Sequence, residues 1–266
     1  MIIIDVGACT GEYTDHCFSN YDVERVIMVE PLEQNLEYLS YKYSQNETLG
    51  KKTSIIAGAI SDYSGVGHLY PKIKFDRITN PDAVKEMLIA HDILNRKVNE
   101  SDSGYFAGEI NHGLTMPPQE YYQALGEAGF FVGNDGSCLD LLFDDYIKNN
   151  DLLRSFYDPT VRIEIGVTTI SNVMEIAKID KIDILKLDVE GSEYKILKNI
   201  LDENLHEKID LIFFEDHLDK RANMLELRTS VLQRIKALGI EDMFFTQYEE
   251  FTYDIPLVDT KMWKDL

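Results

Sequence analysis

The feature that most restricts the fold of this chain is a repeated pairing of short β-branched runs with helix-length segments. "IIIDV" leads through a glycine-bearing loop into "DHCFSN". "RVIMVEP", stopped by Pro31, leads into "LEQNLEYLSYKYSQN", whose leucines and tyrosines fall at helical spacing, and "SIIAGAIS" follows as a third strand. Strands apolar along their whole length have no face to offer water, so the series predicts a parallel sheet covered by helices on both sides. The alternation resumes near "VRIEIGVTTISNVM" and passes through "IDILKLDVEG", the helical "SEYKILKNIL" and the strand "IDLIFFEDH". A long helix over "NMLELRTSVLQRIKAL" comes next, with Gly239 placed to cap it, and "DMFFTQY" and "EEFTYDI" read as a terminal strand pair. The second region adds about four strands to the first three.

Between the two regions the pattern changes. Residues 71–159 hold a helix-like "NPDAVKEMLIAHDILNRKV" and glycine- and aromatic-rich stretches such as "SDSGYFAGEINHGLTMPP" and "GFFVGNDGS". The chain therefore reads as one domain over residues 1–266 with a long insert. A lid or substrate-binding role for the insert and a dimerisation role both stay open, so a homo-oligomer is compatible with the sequence. Within the insert, His112, Tyr105, Phe106, Tyr121 and Tyr122 could form a sugar-facing wall, although aromatic core packing explains most of them as well.

Composition excludes several function classes. A formal charge of −21, from 47 acids against 26 bases, leaves no lysine- or arginine-rich patch to neutralise phosphates, so nucleic acid is not an expected partner. Cys9, Cys17 and Cys138 are odd in number and lack C-x-x-C spacing, which suggests neither a disulfide framework nor a structural zinc site. The N-terminal apolar run is too short for a signal segment and no later run approaches a membrane span. A cytoplasmic protein that does not engage a membrane is the expectation.

The loop after the first strand discriminates among cofactors. A dinucleotide fingerprint requires G-x-G-x-x-G, but Cys9 stands at the middle glycine of "DVGACTGEY", and Glu12 stands where a P-loop would need lysine. Carboxylates at Asp5 and Glu12 would repel a pyrophosphate and suit a ligand with an ammonium and a sulfonium, such as S-adenosylmethionine. Glu30 ends the second strand, where a carboxylate can accept from both ribose hydroxyls, and Ser61 and Asp62 follow the third, at a place suited to the adenine amino group. The candidate cofactor residues are Asp5, Gly7, Ala8, Thr10, Gly11, Glu30, Pro31, Ser61 and Asp62.

"IDVGACTGEYT", "VEPLEQNLEYL", "AISDYSG" and above all "IDILKLDVEGSEYKIL" resemble the FkbM family of S-adenosylmethionine-dependent methyltransferases, over roughly residues 2 to 70 and 160 to 217. The resemblance implies an α/β, Rossmann-like class I methyltransferase fold, a mostly parallel seven-stranded sheet with helices on both faces. It further implies methylation of a hydroxyl, typically on a sugar or natural product. By that analogy Asp5, Gly7, Gly11, Glu30 and Asp62 contact the cofactor. Members commonly carry sequence before the first strand, whereas here it starts at residue 2. Cover for that side of the cofactor is therefore expected from the insert or a partner subunit.

An alcohol acceptor needs its proton taken as the bond to carbon forms, so a base belongs near the end of the fourth strand. In "ILKLDVEG", Lys186 and Asp188 share a side by period-two alternation and Glu190 lies in the turn; "FFEDH" brings Glu215, Asp216 and His217 to the adjacent rim. His217 is the first candidate base, oriented by a neighbouring carboxylate, with Asp188 the alternative and Glu190 completing the catalytic set. Lys186 in an apolar strand requires a buried partner, for which Asp5 is available. Asp188, Glu215 and Asp216 could also gather a hard divalent cation such as magnesium. The expected activity is O-methylation of a saccharide hydroxyl. A methyltransferase of a non-sugar small molecule and a non-catalytic methyltransferase-like binding module remain the alternatives. A nucleic-acid methyltransferase is disfavoured, since "DVEGSE" replaces the N/D-P-P-Y/F motif such an enzyme would show.

Overall fold

Ile2–Val6 (β1) can lie in the middle of a sheet because neither of its faces needs water: Ile3 and Ile4 are wholly buried on opposite sides. The computed structural model describes residues 1–70, 138–139, 162–217, 224–246 and 255–259. β1 is followed by α1 (Glu12–Asn20), β2 (Arg25–Glu30), α2 (Glu33–Ser44), α3 (Glu47–Lys52) and β3 (Thr53–Ala57). Next come β4 (Ala59–Ile60), β5 (Gly65–Tyr70), β6 (Cys138–Leu139), β7 (Ile163–Thr168) and α4 (Ile170–Ala177). β8 (Ile182–Leu187), α5 (Glu193–Asp202), β9 (Ile209–Phe214), α6 (Met224–Leu238), β10 (Phe244–Thr246) and β11 (Ile255–Pro256) complete the order.

The main sheet has seven strands in the order β11-β10-β9-β8-β1-β2-β3, all parallel except β11. The chain steps outward from β1 to β2 and β3, then returns to lay β8 on the other side of β1. The winding direction reverses between β1 and β8, and the crevice outside their carboxyl ends is where open α/β sheets bind ligands. This matches the seven-stranded, mostly parallel α/β arrangement expected, including the terminal pair, in which Phe245 faces Pro256 and Thr246 faces Ile255.

Alternation along each strand divides the core between the two sheet faces. Ile4, Ile27, Leu185 and Ile212 pack with Val173 of α4, Tyr194 and Leu197 of α5, and Val231 and Leu232 of α6. Ile3, Met28 and Ile184 pack with Tyr13 and Cys17 of α1 and Leu39 and Tyr43 of α2. α1 has no side-chain cap, so burial of Tyr13, Thr14 and Cys17 against the sheet must hold it in place. Gly239, at φ +65, ends α6 as expected, its N–H reaching the Lys236 carbonyl at 3.2 Å.

Two features differ from the sequence expectation. The third strand, expected over "SIIAGAIS", divides at Gly58: β3 stays in the main sheet, while β4 enters a second sheet of order β4-β7-β5-β6. Gly58 has φ +145, and a Cβ there would lie 2.9 Å from the Gly166 carbonyl, so only glycine lets the chain leave one sheet for the other. The second sheet itself has no counterpart in the sequence reading. It buries Ala59, Leu69, Ile165 and Val167 with Leu32 into a small separate core beside the end of β2. Of the insert, Cys138–Leu139 pair antiparallel with Leu69 and Tyr70. The proposed aromatic wall of Tyr105, Phe106, His112, Tyr121 and Tyr122 lies outside the described residues. Among the described residues, no helix is long and apolar enough to cross a membrane.

Candidate active site

The loop leaving β1 is pressed against the end of β8. Gly7, at φ +75, turns the chain, and its N–H and that of Ala8 both reach the Val29 carbonyl, at 3.0 and 3.2 Å. A Cβ on Gly7 would stand 1.9 Å from the Asp188 carbonyl oxygen, so no side chain can be carried there. Beneath the loop lies Lys186. Its Nζ is 3.3 Å from Asp5 Oδ1 and 3.3 Å from Asp188 Oδ2, and it donates to the Gly7 carbonyl at 3.1 Å. Thr14 Oγ1 donates to the other Asp5 oxygen at 2.8 Å.

The expected Lys186–Asp5 pair is therefore present, and it corrects the electrostatic role given to Asp5. That carboxylate is wholly buried and engaged by Lys186 and Thr14, so its charge is answered within the protein rather than facing a ligand. A buried pair of this kind contributes little net stability, since desolvation offsets the attraction. What it does here is join β1, the glycine loop and the end of β8 at one ammonium.

Glu30 lies on the other side of the loop. Its Oε2 accepts from the Cys9 N–H at 2.9 Å, and its Oε1 from the Leu32 N–H at 2.9 Å and Asn35 Nδ2 at 3.1 Å. Burial pushes its carboxyl up to about 7, despite the opposing effect of the Leu32, Cys9 and Asn35 donors. Glu30 and Asn35 form part of the wall of an open cleft enclosing about 620 Å³, solvent-facing space included. Gly7, Cys9, Pro31, Asp188, Glu190 and Ser192 also line it, with an apolar side of Val29, Leu32, Ala59, Ile60, Leu69 and Val189. The second sheet thus supplies one wall, and no lysine or arginine lines the cleft among the described residues.

Beside the part of the cleft wall formed by Asp188 and Glu190, carboxylates surround an imidazole. Glu190 takes the left-handed conformation, φ +55, in the turn after β8. His217, at the end of β9, brings Nδ1 to 2.8 Å from Glu193 Oε1; its Nε2 is 3.7 Å from Glu190 Oε2 and 3.4 Å from Glu215 Oε1. Burial, the largest single influence, opposes a charge on the ring. The Glu190 charge, the hydrogen bond and charge of Glu193, and the Glu215 bond together outweigh it and hold His217 well above the usual histidine range. Glu193, the first residue of α5, is a functional candidate the sequence reading missed, and so are Asn35 and Cys9. The E-G-S-E spacing around Ser192 was the available signal for Glu193.

The cation set expected from sequence, Asp188, Glu215 and Asp216, does not assemble. Asp216 accepts from the Tyr194 hydroxyl at 2.8 Å and lies 3.9 Å from Arg228, facing α5 and α6. The donor atoms that converge are instead one each from Asp188, Glu190 and His217, within 4.8 Å of one another. Of the expected cofactor residues, Gly7, Glu30 and Pro31 line the cleft. Ala8 is buried behind it, the Thr10 carbonyl holds Lys42 at 2.8 Å, and Gly11 caps α1. Ser61 is buried and donates to Asp62 at 3.1 Å, with Asp62 exposed; neither residue is part of the cleft wall.

A family model for the methyltransferase FkbM domain matches residues 5–241. No curated protein matches the chain. Among solved structures the chain is similar to methyltransferase FkbM from Methylobacillus flagellatus KT, with 14% identity and a TM-score of 0.38. The similarity covers 87% of this chain but 36% of that one, so the chain spans little more than a third of the relative's length.

Proposed function

The chain belongs to the family of methyltransferases with an FkbM domain, and from that premise we propose that it is an S-adenosylmethionine-dependent O-methyltransferase acting on a saccharide hydroxyl. The observation that carries the cofactor reading is the cleft beside the β1–β8 switch point. It presents Glu30, Asp188 and Glu190 and no basic side chain among the described residues. Such a wall opposes phosphate and suits a cationic, phosphate-free ligand. When bound, S-adenosylmethionine supplies an electrophilic methyl group on a sulfonium. Glu30 would accept from the ribose hydroxyls, and the loop over Gly7 and Cys9 would bring backbone close to the amino-acid portion. The apolar side formed by Leu32, Ile60 and Leu69 would pack against the uncharged part of the cofactor.

At the carboxylate end, His217 takes the acceptor's proton at Nε2, while Asp188 and Glu190 accept from further hydroxyls and orient the ring of the sugar. A saccharide suits this end because a polyol offers several donors to carboxylates, and an anionic acceptor would be repelled. A cation-assisted variant is favoured by one observation, the convergence of Asp188, Glu190 and His217. Full turnover in the presence of a chelator would remove it.

The direct test is calorimetric titration of the full chain with S-adenosylmethionine, where absence of binding would count against catalysis and leave the fold without this function. A methyl-transfer screen over glycans and non-sugar small molecules, with product linkage resolved by NMR, then decides the acceptor class. Methylation confined to non-sugar hydroxyls would overturn the saccharide reading.

A further inference from the structure

Resting on the reading of His217 as proton acceptor, we infer that Glu193 is the positioning residue that sets which nitrogen of His217 accepts the proton. The Glu193 side chain is 1% exposed, and its Oε1 stands 2.8 Å from His217 Nδ1. A carboxylate oxygen only accepts, and Glu193 meets Nδ1 at 2.8 Å whereas Glu215 and Glu190 stand 3.4 and 3.7 Å from Nε2, so the short contact at Nδ1 takes the single hydrogen of the neutral ring. The neutral imidazole is then the Nδ1–H form, with its lone pair at Nε2. That nitrogen faces Glu190 and Glu215, and Glu190 lines the cleft. An unconstrained histidine side chain prefers the opposite tautomer, so this arrangement must be imposed by the partner of Nδ1.

Glu193 can impose it because it cannot turn away. Its Oε1 also accepts from the Val189 N–H at 3.1 Å, and its Oε2 from the Gly191 N–H at 3.0 Å. Those amides belong to the turn that carries Asp188 and Glu190. One carboxylate at the start of α5 therefore braces the turn after β8 against the histidine at the end of β9. The groups facing the ring are Glu190 from that turn, Glu193 from α5, and Glu215 from β9's own end. Of these, Glu193 alone contacts Nδ1.

The test is ¹⁵N NMR of the chelator-treated full chain at a pH where the ring carries a single proton, with the His217 signals identified by their loss in His217→Gln. The expected spectrum has a protonated Nδ1 and an unprotonated Nε2 on His217, and in Glu193→Gln that preference is lost. A wild-type His217 in the Nε2–H form overturns the inference, and this reading stands even if Glu193→Gln fails to fold. With the fastest-methylated saccharide of the screen as acceptor, Glu193→Gln is expected to lower kcat at least ~10-fold with KM within about twofold. An unchanged kcat in a folded variant overturns it equally. Titration with S-adenosylmethionine on the same samples separates the two levels. Failure of the wild type to bind would sink the methyltransferase reading while the tautomer result stood on its own.

Discussion

Glu30 makes the folded protein sensitive to pH in a way that a single substitution isolates. Its carboxyl is nearly inaccessible and is pushed up from 4.5 to about 7 by burial. Between those values the folded chain holds a proton on Glu30 that the unfolded chain has already released. The native state is therefore favoured at low pH and loses stability as pH rises, the reverse of an ordinary salt-bridged acid. Moving from 4.5 to about 7 corresponds to about 3 kcal/mol, most of which falls between pH 5 and pH 8. Glu30→Gln keeps an acceptor for the Leu32 or Cys9 N–H and removes the titration. Urea unfolding of both proteins without cofactor, repeated from pH 5 to pH 8, gives the difference in stability at each pH and cancels the other titrating groups. The wild type is expected to lose about 2–3 kcal/mol relative to the variant across that range. A flat difference would refute the reasoning. A difference that moved the other way would mean that the Cys9, Leu32 and Asn35 donors outweigh burial and hold the group ionised.

Other consequences can be measured separately. Gly7→Ala places a Cβ 1.9 Å from the Asp188 carbonyl in a left-handed turn; it should abolish S-adenosylmethionine binding by calorimetry and lower the thermal midpoint. Lys186→Met strands the buried Asp5 carboxylate and should cost about 3–5 kcal/mol in denaturant unfolding, with Asp5→Asn in the same chain recovering most of it. If the double variant were no more stable than the single, Asp5 would not be the partner that matters. Transfer rates should rise with pH through a value above 6.5, because His217 must shed its extra proton before accepting one, and a rate that falls over that range would remove it as the base. Iodoacetamide should modify Cys9, which lines the cleft, and spare Cys17, whose buried thiol is pushed up to about 12. Excess S-adenosylmethionine should protect Cys9; equal labelling with and without it would place the cofactor elsewhere.

The sequence by itself determined the main sheet. Runs such as "IIIDV", "RVIMVE" and "IDILKL" are apolar on both faces and joined by helix-length segments, and that pattern admits few arrangements other than a covered parallel sheet. It determined the glycine loop after β1, Glu30 at the end of β2, and the need for a buried partner at Lys186, because each depends on residue type at a fixed place along one strand. Tertiary structure alone decided where the charges point. Asp5 was open both to a ligand and to Lys186 until β8 brought that ammonium to 3.3 Å from it, and Asp216 looked like a neighbour of Asp188 until Tyr194 and Arg228 claimed it from α5 and α6. The second sheet was equally hidden, since one glycine at position 58 divides an unbroken apolar run between two sheets. Strand periodicity is a property of neighbours in the chain. The partner of a carboxylate is set by elements hundreds of ångströms apart along an extended chain and a few apart in the fold, and side-chain charge carries no record of which of them will arrive.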